Sequence, residues 1–166
     1  MSEYSPPVEH RKLEMHLWWI TAILIGINVG LFGWQAINGM DVSQPSTRDA
    51  ILWGADYAPL TYLAEPMRLF SSMFFHFGLI HLMLNMWALY IFGSVAEQLF
   101  GRMYFIGLYV CAGLMGSLLS GYMNIQDSYR LIEGGVANPD LLPAVSAGAS
   151  GAVMGLGASL TVLALL

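Results

Sequence analysis

Three residues carry groups that could cooperate in acyl transfer. Ser150 stands in Gly148-Ala149-Ser150-Gly151, while His81 and Asn85 lie four residues apart in a long apolar stretch. A serine hydroxyl attacks a carbonyl when a base takes its proton and donors hold the tetrahedral oxyanion. On a helix, His81 and Asn85 share one face and offer N–H donors to a common point. Glycines on both sides of Ser150 let another backbone approach the hydroxyl and leave the Ser150 N–H free to meet an anion. Packing is the competing account: serine and glycine in a membrane helix commonly serve close contact, and a histidine–asparagine pair can bond to a neighbouring helix.

The elements that must position these groups are apolar. The 166 residues are 57% hydrophobic and 10% charged, against about a quarter charged in soluble domains, so the solvent is lipid. Four windows, 17–37, 79–96, 103–123 and 144–166, are long enough to span a bilayer. The expected fold class is therefore all-α, a polytopic transmembrane helix bundle with four spans. Trp18, Trp19 and Trp34 mark the ends of the first span as interfacial anchors, so it reads as a retained span and not as a signal peptide. A titratable group near the middle of a span costs roughly 2 to 3 kcal/mol or more, and His81 should face a bundle interior or a water-filled cavity.

Polar segments divide these spans. Residues 1–16 form a tail in which His10 and His16 are solvated. Gly26, Gly30 and Gly33 are expected to allow close helix contact in the first span, with Asn28 bonding across helices. The connection 38–68, without obvious regular structure, carries Trp53, Tyr57 and Tyr62 and should lie against the membrane interface. Residues 69–77 close this loop, packed on protein. Residues 93–102 read as a short turn that brings Glu97 and Arg102 to the membrane surface. In the third span, Gly113, Ser117 and Gly121 form a small-residue face beside Ala112, Gly116 and Ser120. Residues 124–142 read as a polar loop. The single cysteine, Cys111, excludes an internal disulfide. Nothing in the net charge of −5 or in the scattered Lys and Arg residues points to nucleic acid. With a cytoplasmic N-terminus the basic residues divide evenly between the two sides, so charge alone leaves the orientation open.

Spans two and four begin on the same side of the membrane, so His81 and Ser150 lie at similar depth and can meet. Arg68, then His76-Phe77-Gly78-Leu79-Ile80-His81-Leu82-Met83-Leu84-Asn85, then Gly93-Ser94-Val95-Ala96-Glu97-Gln98-Leu99-Phe100-Gly101, then Gly148-Ala149-Ser150-Gly151 resemble the rhomboid family of intramembrane serine proteases in order, spacing and position. The resemblance implies that Ser150 is the nucleophile, in a turn formed with Gly148 and Gly151, and that His81 and Asn85 join the Ser150 N–H in the oxyanion hole. It implies that 38–68 is the family's membrane-embedded first loop, that Arg68 braces it, and that Glu97 is a buried structural hydrogen-bonding residue. It further implies transmembrane protein substrates in a lipid bilayer, a bacterial inner (plasma) membrane location with a cytoplasmic N-terminus, and no metal or cofactor.

Three positions depart from the family pattern. Met67 stands where some members have tryptophan, and Met154 where some have an aromatic residue. The larger departure is a sixth-helix histidine in an Ala-His-x-x-Gly pattern, which pairs with the serine in family members and has no counterpart in these 166 residues. His81 could serve as base only by leaving the oxyanion hole, His76 is off its helical face, and His10 and His16 lie across the membrane. The expectation is a cytoplasmic tail, 1–16, and a rhomboid transmembrane domain, 17–166, incomplete at its C-terminus, with four of six helices. The alternative is a pseudoprotease that binds transmembrane segments without cutting them. A metal carrier using His76 and His81 fails because two helical ligands need spacing three or four.

Overall fold

The computed structural model describes residues 18–134 and 144–166. The tail histidines, and Gly135, Pro139 and Pro143 of the expected polar loop, lie outside the described residues. Among those described, all regular structure is helical apart from one antiparallel bridge between Asp56 and Ser146.

The apolar run between tryptophans forms α1, Trp19–Ile37. The connection that follows is not irregular, as its proline and aspartate content suggested. It contains α2, Thr47–Leu52, α3, Ala58–Leu63, and α4, Arg68–Ser71, followed by a 3₁₀ turn, Ser72–Phe74. Local chemistry starts two of these pieces. Ser46 and Asp49 form a reciprocal capping box at α2, and Pro59 sits in the first turn of α3, where its missing N–H costs nothing. Each piece is too short to show an apolar period.

The second span runs through α5, Leu79–Ala88, a π-helical turn, Leu89–Gly93, and α6, Ser94–Phe100. The expected turn over 93–102 is therefore helix almost to its end, where Gly101 turns the chain at φ 80°. The third span, α7, is Arg102–Glu133, a helix of 32 residues. It continues about three turns into the expected polar loop.

The fourth window also differs. Its helix, α8, is Ser150–Ala164, only 15 residues, below the roughly 17 needed to cross hydrocarbon. Residues ahead of it cannot be helical, because Ser146 pairs with Asp56 and Gly148 adopts φ 115°. Among the described residues three helices, Trp19–Ile37, Leu79–Phe100 and Arg102–Leu131, are long and apolar enough to cross a membrane. With α8 packed against them, the architecture is a polytopic helix bundle.

Small residues bring α7 and α8 together. A Cβ on Gly116 would stand 2.9 Å from the Gly151 Cα, and one on Gly155 would collide with Ala112. Both glycines thus let two backbones approach closely, which is how helices associate where lipid removes the hydrophobic drive. Gly113 and Gly121 instead accept side chains, those of Met73 and Tyr62. Among the described residues nothing approaches Gly26, Gly30 or Gly33, so the expected close contact through them is not made there. Asn28 is buried; its Nδ2 donates to Leu24 of its own helix at 2.8 Å, and its side chain also meets the Tyr109 hydroxyl of α7.

Glu97 does not reach the membrane surface; it is only 2% exposed. Its carboxyl oxygens accept from Ile20 N at 2.9 Å, Thr21 N at 2.8 Å and Thr21 Oγ1 at 2.8 Å. Trp18, at the N-cap, has no side-chain oxygen to offer, so α6 caps α1 from far along the chain. The π turn widens the helix beside this contact, where Gly93 packs on Thr21. Replacing Glu97 with alanine strands one buried and one part-buried helix N–H group, at about 1 to 3 kcal/mol for a fully buried one. We expect Glu97→Ala to lower stability by about 3 kcal/mol and Glu97→Gln by less, measured by denaturant unfolding in detergent micelles. Unchanged midpoints for both variants would contradict the cap.

Candidate active site

The first loop grips the start of α5. Val42 O accepts from Leu79 N at 2.8 Å, and Gly78, at φ 92°, passes so close that a Cβ would stand 2.6 Å from Ser43 O. Arg68 lies across the same loop. Its Nη1 donates to Ile51 O at 2.7 Å and Ala55 O at 3.0 Å, while Nε pairs with Glu65 at 2.7 Å. Three backbone-scale contacts thus hold the loop that precedes His81.

His81 lies in the first turn of α5. The Phe77 backbone N–H donates to its Nδ1 at 3.1 Å. A ring nitrogen that accepts carries no proton, so a neutral imidazole must keep its proton on Nε2. Nε2 is the nitrogen that faces the serine loop: a Cβ on Gly148 would lie 3.0 Å from it and 2.8 Å from Cε1. Asn85, one turn later and buried, gives one Nδ2 proton to His81 O at 2.9 Å. The same Nδ2 is 3.9 Å from that Gly148 position. Two N–H donors therefore converge beside Gly148, two residues before Ser150.

Gly148 is required twice over, by its positive φ and by the His81 ring. Its N–H donates to Ser72 O at 2.8 Å. Ala149 follows, fully buried, and Ser150 opens α8. As the first helical residue, Ser150 has an N–H with no acceptor inside the helix. Its side chain is exposed and makes no hydrogen bond to another described residue. Beneath it is a cavity of about 110 Å³ walled by Ser117, Ser120, Ser146, Gly148 and Ser150. Hydroxyl walls and a volume several times that of one water suit a hydrated space.

Gly151 packs on Gly116, and both line the same cavity. Met154 is 70% exposed and covers nothing in the described bundle, and Met67 is likewise exposed. Helical spacing puts His76 off the His81 face, yet its ring lies 5.3 Å from the His81 ring, because the chain before α5 is not helical. It is fully buried, and neither ring nitrogen has a partner among the described residues. No group of three or more His, Cys, Asp or Glu side chains among the described residues could hold a metal ion.

A bundle of helices long and apolar enough to cross a membrane defines a class, that of polytopic integral membrane proteins. Comparison with known proteins makes the class specific. The rhomboid domain family matches residues 63–166, and the chain belongs to the rhomboid family. It is 25% identical over 146 residues to rhomboid protease AarA of Providencia stuartii, covering 84% of this chain and 49% of that protein. It is 31% identical over 143 residues to rhomboid protease GluP of Bacillus subtilis, covering 86% and 24%. Inactive RHOMBOID-like protein 8 of Arabidopsis thaliana is 31% identical over 93 residues, covering 55% and 26%. The chain thus spans half or less of the length of these relatives. No solved structure matches it.

Proposed function

We propose that the chain carries the nucleophile and oxyanion hole of an intramembrane serine endopeptidase that cleaves transmembrane segments of membrane proteins. The observation that supports this best is the convergence of His81 Nε2 and Asn85 Nδ2 on Gly148, beside a Ser150 whose N–H and hydroxyl have no partner among the described residues. In this reading Ser150 Oγ attacks the scissile carbonyl carbon while a base takes its proton. The carbonyl oxygen becomes an oxyanion held by the Ser150, His81 and Asn85 N–H groups. Collapse breaks the C–N bond, and the base returns its proton to the leaving amine. Water then attacks the acyl-enzyme by the same route, drawn from the polar cavity beneath Ser150.

The base is proposed to come from outside these residues. His81 is committed at Nδ1 to Phe77 and at Nε2 to the oxyanion position, and His76 is sealed against His81. A helix with the Ala-His-x-x-Gly pattern, which the family resemblance implies, would complete a Ser-His dyad and a six-helix domain. We infer the same topology for the N-terminus, on the cytoplasmic side of a bacterial plasma membrane, with the Ser150 opening facing outward. Arg68 is assigned the bracing of the first loop, and no metal or cofactor takes part.

A second reading has an observation in its favour. The exposed Ser150 hydroxyl has no described base, and one relative is named inactive, so a pseudoprotease that binds transmembrane segments uses the same surface. The two readings separate on incubation of the full-length protein with single-span membrane substrates in proteoliposomes. Cleavage products within the span support the protease, whereas stable co-purification of intact substrate without cleavage supports the binder.

A further inference from the structure

The segment that leads into Ser150 is tied to the first loop by the Gly148–Ser72 bond and, two residues earlier, by a reciprocal pair of bonds. Asp56 N donates to Ser146 O at 2.9 Å, and Ser146 N donates to Asp56 O at 2.8 Å. A bridge that uses both backbone groups of each residue sets the register between two segments, and a one-residue slip would turn every following side chain. The Ser146 side chain is held from the other direction, by Ser120 Oγ at 2.6 Å and Asn124 Nδ2 at 2.9 Å on α7.

The Asp56 side chain is not satisfied as an anion. It is 1% exposed, and Oδ1 accepts from Thr61 Oγ1 at 2.6 Å. Oδ2 is buried with no hydrogen-bond partner among the described residues. It lies 3.1 Å from the point where a Cβ on Gly121 would stand, and the Tyr62 hydroxyl oxygen lies 2.6 Å from that point. Tyr62 gives its own proton to Leu118 O at 2.8 Å, so its oxygen remains free to accept. Oδ2 and the Tyr62 oxygen flank the same point beside Gly121 without bonding to each other, and a bare Oδ2 anion has no donor among the described residues.

We propose that Asp56 is a positioning residue for Ser150: its backbone clamps Ser146, and its carboxyl group keeps the clamp closed in the uncharged form. The inference rests on the reading of Ser150 as a nucleophile. Among the described residues, the charged and titratable groups around Asp56 are Tyr62 from α3 and Arg68 from α4, and the Arg68 guanidinium is engaged by Ile51 O, Ala55 O and Glu65. α7 and the Ser150 segment face it with Gly121 and Ser146, which carry no charge. Burial pushes the Asp56 carboxyl above its ordinary range, against the smaller opposing effects of the Thr61 bond and Arg68. An acid raised on folding contributes stability below its unfolded pKa and loses it as pH rises through the folded value. Charge on Asp56 then loosens the clamp, and Ser150 drifts from the donors at Gly148.

The test is cleavage of a single-span substrate by the full-length protein in proteoliposomes, from about pH 4 to about pH 9. Wild type, Asp56→Asn, Asp56→Leu and, as a blank, Ser150→Ala are compared. Asparagine keeps an uncharged donor, so Asp56→Asn should stay within about threefold of wild type at acidic pH, and the wild-type to Asn rate ratio should fall as pH rises. Asp56→Leu should lose about tenfold to a hundredfold in kcat with KM little changed, because the reacting group and not the substrate contact is displaced. With wild type active, a ratio that stays flat or rises with pH overturns the role of Asp56 and leaves the protease reading standing. If wild type is no faster than Ser150→Ala at any pH, the protease reading falls and this inference falls with it.

Discussion

Ser150→Ala in the full-length protein should abolish cleavage while leaving the bundle folded. The hydroxyl has no chemical substitute: Ser117, Ser120 and Ser146 line the same cavity, but only Ser150 begins a helix with a free N–H beside it. Alanine fits the site, because the side chain is exposed and bonds to no described neighbour, and α8 already packs through Gly151 and Gly155. Thermal unfolding should therefore move little. Residual cleavage above about one part in a thousand of wild type, with a background below that level, would place the nucleophile elsewhere.

Loss of an oxyanion donor should have the second largest effect. Removing one such donor typically costs a hundredfold to a thousandfold in kcat, about 3 to 4 kcal/mol. Asn85→Ala and His81→Ala should both fall near this range with KM changed far less. Their structural side effects differ. Asn85 is buried and bonded to the His81 carbonyl, whereas His81 also holds the Phe77 N–H, so His81→Ala should cost more stability as well. His81→Gln restores a neutral donor and should recover part of the loss, which a purely packing role would not produce. Near-normal kcat in both alanine variants would reduce the His81–Asn85 face to a structural pair.

The bundle was legible in the sequence where lipid sets the rule. Apolar runs with tryptophan at their ends become α1, and the run from Leu79 becomes a single span. What escaped was decided by distant partners. Charge alone makes Glu97 a surface residue, whereas the family resemblance implies the buried hydrogen-bonding role that it holds against the uncapped N–H groups of α1. The fourth window reads as one long helix until Asp56, far away in the chain, pairs with Ser146 and holds the segment ahead of Ser150 extended. Gly26, Gly30 and Gly33 show the opposite error, since small residues permit close packing without requiring it. Of the site, the four-residue spacing of His81 and Asn85 was readable because a helix turn is local. The commitment of His81 Nδ1 to Phe77 was not, because it depends on how the non-helical chain enters α5.

The central claim is that Ser150 is a nucleophile whose oxyanion hole is built here and whose base is supplied from elsewhere. It is tested most directly by fluorophosphonate labelling, with the modified residue located by mass spectrometry. The probe should label Ser150 in the protein continued through a helix bearing the Ala-His-x-x-Gly pattern. Residues 1–166 alone, and Ser150→Ala in either form, should remain unlabelled, since a serine hydroxyl without a base within reach is a poor nucleophile. Equal labelling of Ser150 in residues 1–166 alone would show that a base is already present among them, and labelling at another residue would contradict the assignment of Ser150 itself.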